Sequence, residues 1–554
     1  MVPVIKQRSY TGEKAIQSAL ADILCVDLGV KRVVDELNNI FDTSYTLDSV
    51  TSILNPYISQ NDDFGTAYAF LRPHWSHIAP LEKTPTLDPY ITQIIDFGTV
   101  YTYLRSLRNR IHRNRIAALE EALRTREEKD REMRRNVLLN GRLTRRDVPP
   151  RRLWDLRANR VVPYWVARSH LWAISHAWVD EKDRVDVMTP INGCEWPVPM
   201  PKDADLNLIR IEMLNLGAQY VWLDVLCLRQ EGGKNEHLRL DEWKLDVPTI
   251  GAVYEQGVVY ESSRVVYYFN GLGRPLDLTP GYFESDRCWF RRAWTLQEIT
   301  ERPIIAGVTS KDVMDTQVQT RFDEELNSFQ RMRESPSIFD LLSGMRNRVS
   351  TKPLDKVSGL VYLLRQHVIP IYDPMQSPEE AWQVLMDVMR YEYQTQLFFF
   401  YPEPGHGKKC WRPSWQQVMS DGIVVPPIPL GGVVERTADP DIYSYTGYHI
   451  RSANVRGLSE VPDEPTPRLG ETDIRDDNGE PRTLKIIADH MYSIPDSVYT
   501  LLGCDDRDTG PDRWVVGKIR EDKRFEKLSV FRSADDEVHA NSLELYQLFK
   551  QILC

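Results

Sequence analysis

The sequence predicts an α/β protein whose central region is a doubly wound, mainly parallel sheet, with a mostly helical region before it and a mixed α+β region after it. Three observations lead there. Between residues 164 and 310 short apolar runs alternate with segments of helical spacing, the pattern of strand–helix–strand units. Nine of the 14 tryptophans fall between 154 and 294, concentrating large core-forming side chains in that stretch. At 554 residues the chain is also too long for one ordinary core, since domains average roughly 150 residues.

Residues 1–103 read as short helices and loops. Residues 104–136 carry a loose apolar stripe (Leu107, Ile111, Ile116, Leu119, Leu123, Met133) among charges and predict one long, largely solvated helix. Pro149 and Pro150 break the chain, which sets a boundary near 150 and divides it into 1–150, 151–310 and 311–554. In the central region, Trp172 to His176 is a short apolar run ending in polar groups. Leu206 to Leu216 predicts a helix capped by Asp205 and stopped at Gly217. Tyr220 to Cys227 reads as strand, Glu236 to Tyr254 as helix interrupted at Pro248, Val265 to Phe269 as strand, Cys288 to Ile299 as one helix, and Pro303 to Val308 as a last strand. Beyond it, helices are expected over 311–334, 354–366, 378–394 and 541–552, with strand and loop over 402–483. Leu397 to Tyr401 is an apolar cluster of strand length, and 354–364 and 495–503 echo one another as capped apolar helix starts.

Composition narrows the function classes. No run approaches the roughly 18 to 20 apolar residues of a membrane span, and the charged N-terminus lacks a secretory signal, so the expectation is a cytosolic protein. Seven scattered cysteines without C-x-x-C pairs favour reduced thiols over disulfides or zinc, and Cys227 and Cys288 read as small buried hydrophobes. The net charge of −11 conceals a basic arm: residues 105–152 hold 16 Lys or Arg against 7 Asp or Glu. Without interleaved aromatics or a reading motif, this arm is expected to dock on the acidic remainder rather than on nucleic acid. Gly232-Gly233 before Lys234 lacks P-loop spacing, Gly271-Leu-Gly273 is not followed by a helix, and no metal-spaced His/Cys cluster or serine-hydrolase motif is present.

In open α/β sheets, loops and helix N-termini converge beyond the carboxyl ends of the strands. Ser175 and His176 end one predicted strand; another, through Val221 to Leu223, presents Asp224, with Arg229 and Gln230 just beyond. Asp224 as a backbone-satisfied cap and His176 as a core histidine are the competing readings. On one continuous helix Phe290, Trp294 and Glu298 would share a face, placing a carboxylate against indole surface, where desolvation raises its pKa. Such a group suits stabilisation of an oxocarbenium-like sugar; a solvated Glu298 paired with Arg292 or Arg302 is the alternative.

These blocks also resemble a known family. Residues 173–178 (AISHAW), 222–230 (WLDVLCLRQ), 250–254 (IGAVY) leading to 265–273 (VVYYFNGLG), and 289–298 (WFRRAWTLQE) are similar, in order, to the fungal heterokaryon incompatibility (HET) domain, over about 164–310. Asp355-Lys356 and residues 371–374 (IYDP) resemble the stretch that often follows it. Val179 stands where a glycine is common, and Leu228-Arg229 where Ile-Asn is usual, putting a cation in place of an amide. The resemblance implies a fungal protein of non-self recognition that triggers regulated cell death, with protein partners or self-association. The HET domain is in turn similar to TIR domains, of flavodoxin-like architecture, some of which cleave NAD. Residues 174–183 resemble the first TIR strand and loop, and Trp294 to Glu298 reproduces W-x-x-x-E. That resemblance implies Glu298 as the catalytic candidate, Trp294 stacking on NAD, and Ser175, His176, Asp224, Arg229 and Gln230 lining a nucleotide pocket, with NAD as substrate and no resident cofactor or metal. A non-catalytic interaction module is the rival from another class.

Overall fold

The computed structural model describes residues 9–10, 12, 15–47, 63–71, 115–167, 171–259, 264–276, 278, 281–285, 288–300, 303–307, 316–334, 337–420, 433–439, 441–461, 466–475, 481–504, 513–534 and 547–554. They fall into two compact units, one of Met1–Gln330, Val349–Leu363 and His367–Met375, the other of Arg331–Arg348, Leu364–Gln366 and Gln376–Cys554.

The first unit is built on a six-stranded mixed sheet. Its strands are β1 (Arg152–Asp155), β2 (Arg160–Pro163), β3 (Trp172–His176), β6 (Tyr220–Trp222), β7 (Val265–Tyr268) and β8 (Ile304–Ile305), in the order β8-β7-β3-β6-β1-β2. A separate hairpin, β4 (Arg184–Val187) and β5 (Val198–Pro201), follows β3. The four strands β8, β7, β3 and β6 run parallel, while β1 and β2 form an antiparallel edge. The sheet is therefore mixed, not wholly parallel. All five residues of β3 are buried, as a strand covered on both faces requires.

Side chains alternate across a strand, so Ser175 and its partner Tyr267 face one way, and His176 and Tyr268 the other. On the Tyr268 face, the phenol donates to Glu212 (2.6 Å) of helix α1 (Leu206–Asn215). The N-cap of that helix is Asp205, whose carboxylate accepts from the Asn207 N–H at 2.8 Å. On the opposite face lies helix α2 (Ile250–Val259), whose Tyr254 meets Trp222 edge-on and donates to the Ile174 carbonyl at 3.3 Å. Trp289 packs there too, against Tyr267 and Phe269.

Several expectations need correction. The single helix over 288–299 is instead two one-turn 3₁₀ segments, Trp289–Arg291 and Trp294–Gln297, interrupted at an extended Arg292. The cause is tertiary: the Ala293 N–H donates to the Val349 carbonyl (3.0 Å) and the Val349 N–H to Arg291 (2.6 Å), so the backbone bonds sideways where a helix would bond to itself. Strand β6 stops at Trp222, and Asp224 opens a helical turn, Asp224–Cys227. The segment 397–401 ends a helix, Tyr391–Phe400, and all five residues of the segment are buried, so it shows no helical period. Residues 497–503 are a strand, not a helix start, and the final helix is overturned over 547–553, a strand held by ladder pairing; 541–546 lie outside the described residues, as do 104–114 and 311–315 of two other predicted helices.

The basic arm ends in internal ion pairs. Arg134, nearly buried at the end of helix Arg115–Val137, meets Asp130 and Asp246; Arg151 also takes Asp246, Arg152 takes Glu242 and Arg146 takes Glu255.

The second unit carries an antiparallel barrel. Its strands are β9 (Val433–Arg436), β10 (Tyr443–Arg456), β11 (Arg468–Arg475), β12 (Pro481–Ala488), β13 (Ser497–Gly503), β14 (Arg513–Ile519), β15 (Phe525–Ser533) and β16 (Gln547–Leu553). The path β10-β11-β12-β15-β14-β13 returns to β10, closing six strands. Val455, Ile474, Ile486, Tyr499, Trp514 and Phe531 belong to the apolar core there.

Candidate functional site

The carboxyl end of β3 gathers most of the predicted polar residues, in two clusters. On one face the Trp289 indole N–H donates to Ser175 Oγ (2.8 Å), and the Ser175 hydroxyl donates to Glu298 Oε2. Trp289 and Ser175 have no exposed surface and Glu298 is buried. The Tyr267 hydroxyl fixes the same turn by donating to the Glu298 carbonyl at 2.8 Å. The 3₁₀ turn Trp294–Gln297 carries Glu298 at its end, so the interruption at Arg292 is what swings the carboxylate back onto β3.

On the other face His176 Nε2 lies 2.8 Å from Asp224 Oδ1, while Nδ1 faces the Ala177 carbonyl at 3.3 Å. Asp224 also accepts from the Val225 N–H (2.8 Å) and from the Trp178 indole (3.2 Å), and that indole stacks against the His176 ring. Burial opposes the imidazolium, but the charge and hydrogen bond of Asp224, and the charge of Glu298, outweigh it and hold His176 above its ordinary value. For Asp224 burial works upward and is overcome by His176, the Val225 N–H and Trp178, which hold the carboxyl below its ordinary range. With both ring nitrogens facing acceptors, the charged imidazole is the form this environment fits.

The fold brings Ser175, His176, Asp224 and Glu298 together, but not the rest. Arg229 turns away into a buried group with Glu195 (2.9 Å), Glu242 (3.4 Å) and the Trp196 ring. Gln230 is a loop fastener, donating to the carbonyls of Leu228 (2.8 Å) and Asp224 (3.4 Å). Trp294 leaves the cluster: it packs on Tyr372 and its indole donates to Asp355, whose pKa burial raises. The face shared by Phe290, Trp294 and Glu298 therefore does not exist, and the indole beside the carboxylate is Trp289. Sequence reasoning missed Trp289 because its role depends on the chain break at Arg292, for which no local residue signals. It also passed over Trp178, which stands within residues 173–178.

The strand order places the topological switch between β3 and β7, where a ligand crevice is expected. Two contacts cross that gap. The Ala177 N–H donates to the Tyr268 carbonyl at 3.1 Å, and Gly271 sits so tightly that a Cβ would lie 3.0 Å from Val179 Cγ1. Cys227 and Cys288 are buried, and burial pushes their thiols up to about 12 and about 11, so neither is poised as a nucleophile. Among the described residues no group of three or more His, Cys, Asp or Glu could hold a metal ion, and no helix is long and apolar enough to cross a membrane. Comparison with protein-family models, curated proteins and solved structures finds no match to the chain.

Proposed function

We propose that this chain is a HET-domain protein of fungal non-self recognition, in which the 151–310 region signals regulated cell death by self-association or by binding a protein partner. The ordered resemblance of residues 173–178, 222–230, 250–254 with 265–273, and 289–298 supports the family. The observation that carries the choice of mechanism is the Trp289–Ser175–Glu298 chain: the carboxylate proposed for catalysis already has its donor inside the fold. A buried polar chain with its partners in place rigidifies a core, and recruiting Glu298 to a substrate would mean breaking it. The second reading, release of nicotinamide from NAD with Glu298 as catalytic carboxylate, draws on the Ser175–Glu298 and His176–Asp224 pairs gathered at the carboxyl end of β3.

The test uses the full chain at rising concentration, with sedimentation velocity and chromatographic assay of nicotinamide run together. Concentration-dependent assembly without nicotinamide is the expected result. Nicotinamide release that disappears in Glu298→Gln would replace the signalling reading with the enzymatic one.

A further inference from the structure

The hairpin that follows β3 has one edge paired and one edge open. In an antiparallel pair, bonded and non-bonded positions alternate. Pro199 and Pro201 cannot donate, so Asp186 and Arg184 opposite them are the non-bonded positions, and Val185 and Val187 bond inward to Met200 and Val198. The Lys202 N–H to Asp183 carbonyl bond (3.0 Å) fits the same alternation. The Arg184 N–H is taken by the Glu181 carbonyl, which leaves the Arg184 carbonyl and both backbone groups of Asp186 pointing away from the hairpin. No other strand among the described residues pairs with this edge. Apolar surface lies beside it: Val185 is 40% exposed and Met188 50%.

We infer that this open edge is a self-association surface whose occupant is the same strand of a second copy, running antiparallel about a two-fold axis at Val185. That register sets Arg184 opposite Asp186 of the second copy twice over, and Val185 opposite itself. Each Asp186 N–H then meets an Arg184 carbonyl across the axis. Within one chain the two charges meet only loosely, at 3.8 Å, and both are partly exposed, so each is available to a cross-strand partner. Charged residues ordinarily blunt a sheet edge, but here their order makes the edge complementary to itself alone. A four-residue edge gives a weak contact, as suits a domain that assembles only when local concentration rises. The inference rests on the self-association reading given above.

The experiment is sedimentation velocity on the full chain and its charge variants, with near-ultraviolet circular dichroism confirming the fold of each. Arg184→Glu sets acid against acid and Asp186→Arg sets base against base, so each alone weakens assembly about tenfold. Mixed in equal amounts, the two variants are complementary in both pairs and recover it. Asp186→Pro, which removes an outward N–H and no hairpin bond, weakens assembly without change in the dichroism. If the variants assemble like the parent, or the mixture fails to recover, this edge is not the interface, while self-association through another surface stands. A parent chain monomeric at every concentration overturns both, and nicotinamide release that is lost in Glu298→Gln overturns the signalling reading alone.

Discussion

His176 holds its charge because Asp224 and Glu298 outweigh the burial that opposes it. With its folded pKa raised, its share of stability is full below the unfolded value of about 6.5 and fades as pH rises through the folded value. Asp224 is the converse: depressed when folded, it contributes above the unfolded value and loses that as pH falls through the folded one. The pair therefore stabilises the first unit over the window between the two folded values. Asp224→Asn should drop the His176 pKa in an NMR titration, because burial then acts with only Glu298 and the Ala177 carbonyl against it, and should cost about 3 kcal/mol at neutral pH in denaturant melts. Trp289→Phe keeps the ring but removes the donor to Ser175, at a cost of about 1 to 3 kcal/mol. Thiol chemistry provides a further check at this scale: in the folded chain Cys227 and Cys288 should resist iodoacetamide at pH 8, whereas half-exposed Cys194 and Cys410 react. Modification of Cys227 before unfolding would contradict the burial on which its raised pKa depends.

At the scale of elements, the break at Arg292 decides where Glu298 goes, and its support comes from Val349, far along the chain. Val349→Pro removes one of those two bonds and should raise hydrogen exchange across 289–298 well before global unfolding, with a loss of about 1 to 3 kcal/mol. What was legible in the sequence follows the same division. Asp205 capping α1, the interruption at Pro248 and the strands around 174 and 266 are written in local chemistry, and local chemistry suffices for them. Ser175 and His176 could be placed at the sheet rim because the end of β3 follows from period and punctuation, whereas the apolar run to Cys227 hides the end of β6 at Trp222. Trp289, the departure of Trp294 to Asp355 and the turn of Arg229 toward Glu195 could not, since each is fixed by a partner dozens of residues away or more. The helix that the 397–401 cluster ends is illegible for a different reason: a segment buried on all sides has no period to show.

Across the whole molecule, the first unit spends much of its arginine on internal acids, while in the second the buried Lys527 has carbonyls in their place. Lys527 is fully buried in β15, donates to the Leu397 and Phe398 carbonyls at the end of their helix, and is pushed down to about 7 by burial. Between pH 7 and 10 the unfolded chain holds a proton there that the folded chain does not, so stability rises with pH, by roughly 1.4 kcal/mol per unit from this group. Chemical denaturation across that range should show the slope in the parent and its loss in Lys527→Met; equal slopes would place the lysine in water. The strand β10 gives the barrel a further property. It is gripped by β9 and β13 along one side and by β16 and β11 along the other. A load applied along it is shared by hydrogen bonds on both flanks, which must shear together instead of unzipping singly, and this makes the strand the mechanical keel of its unit.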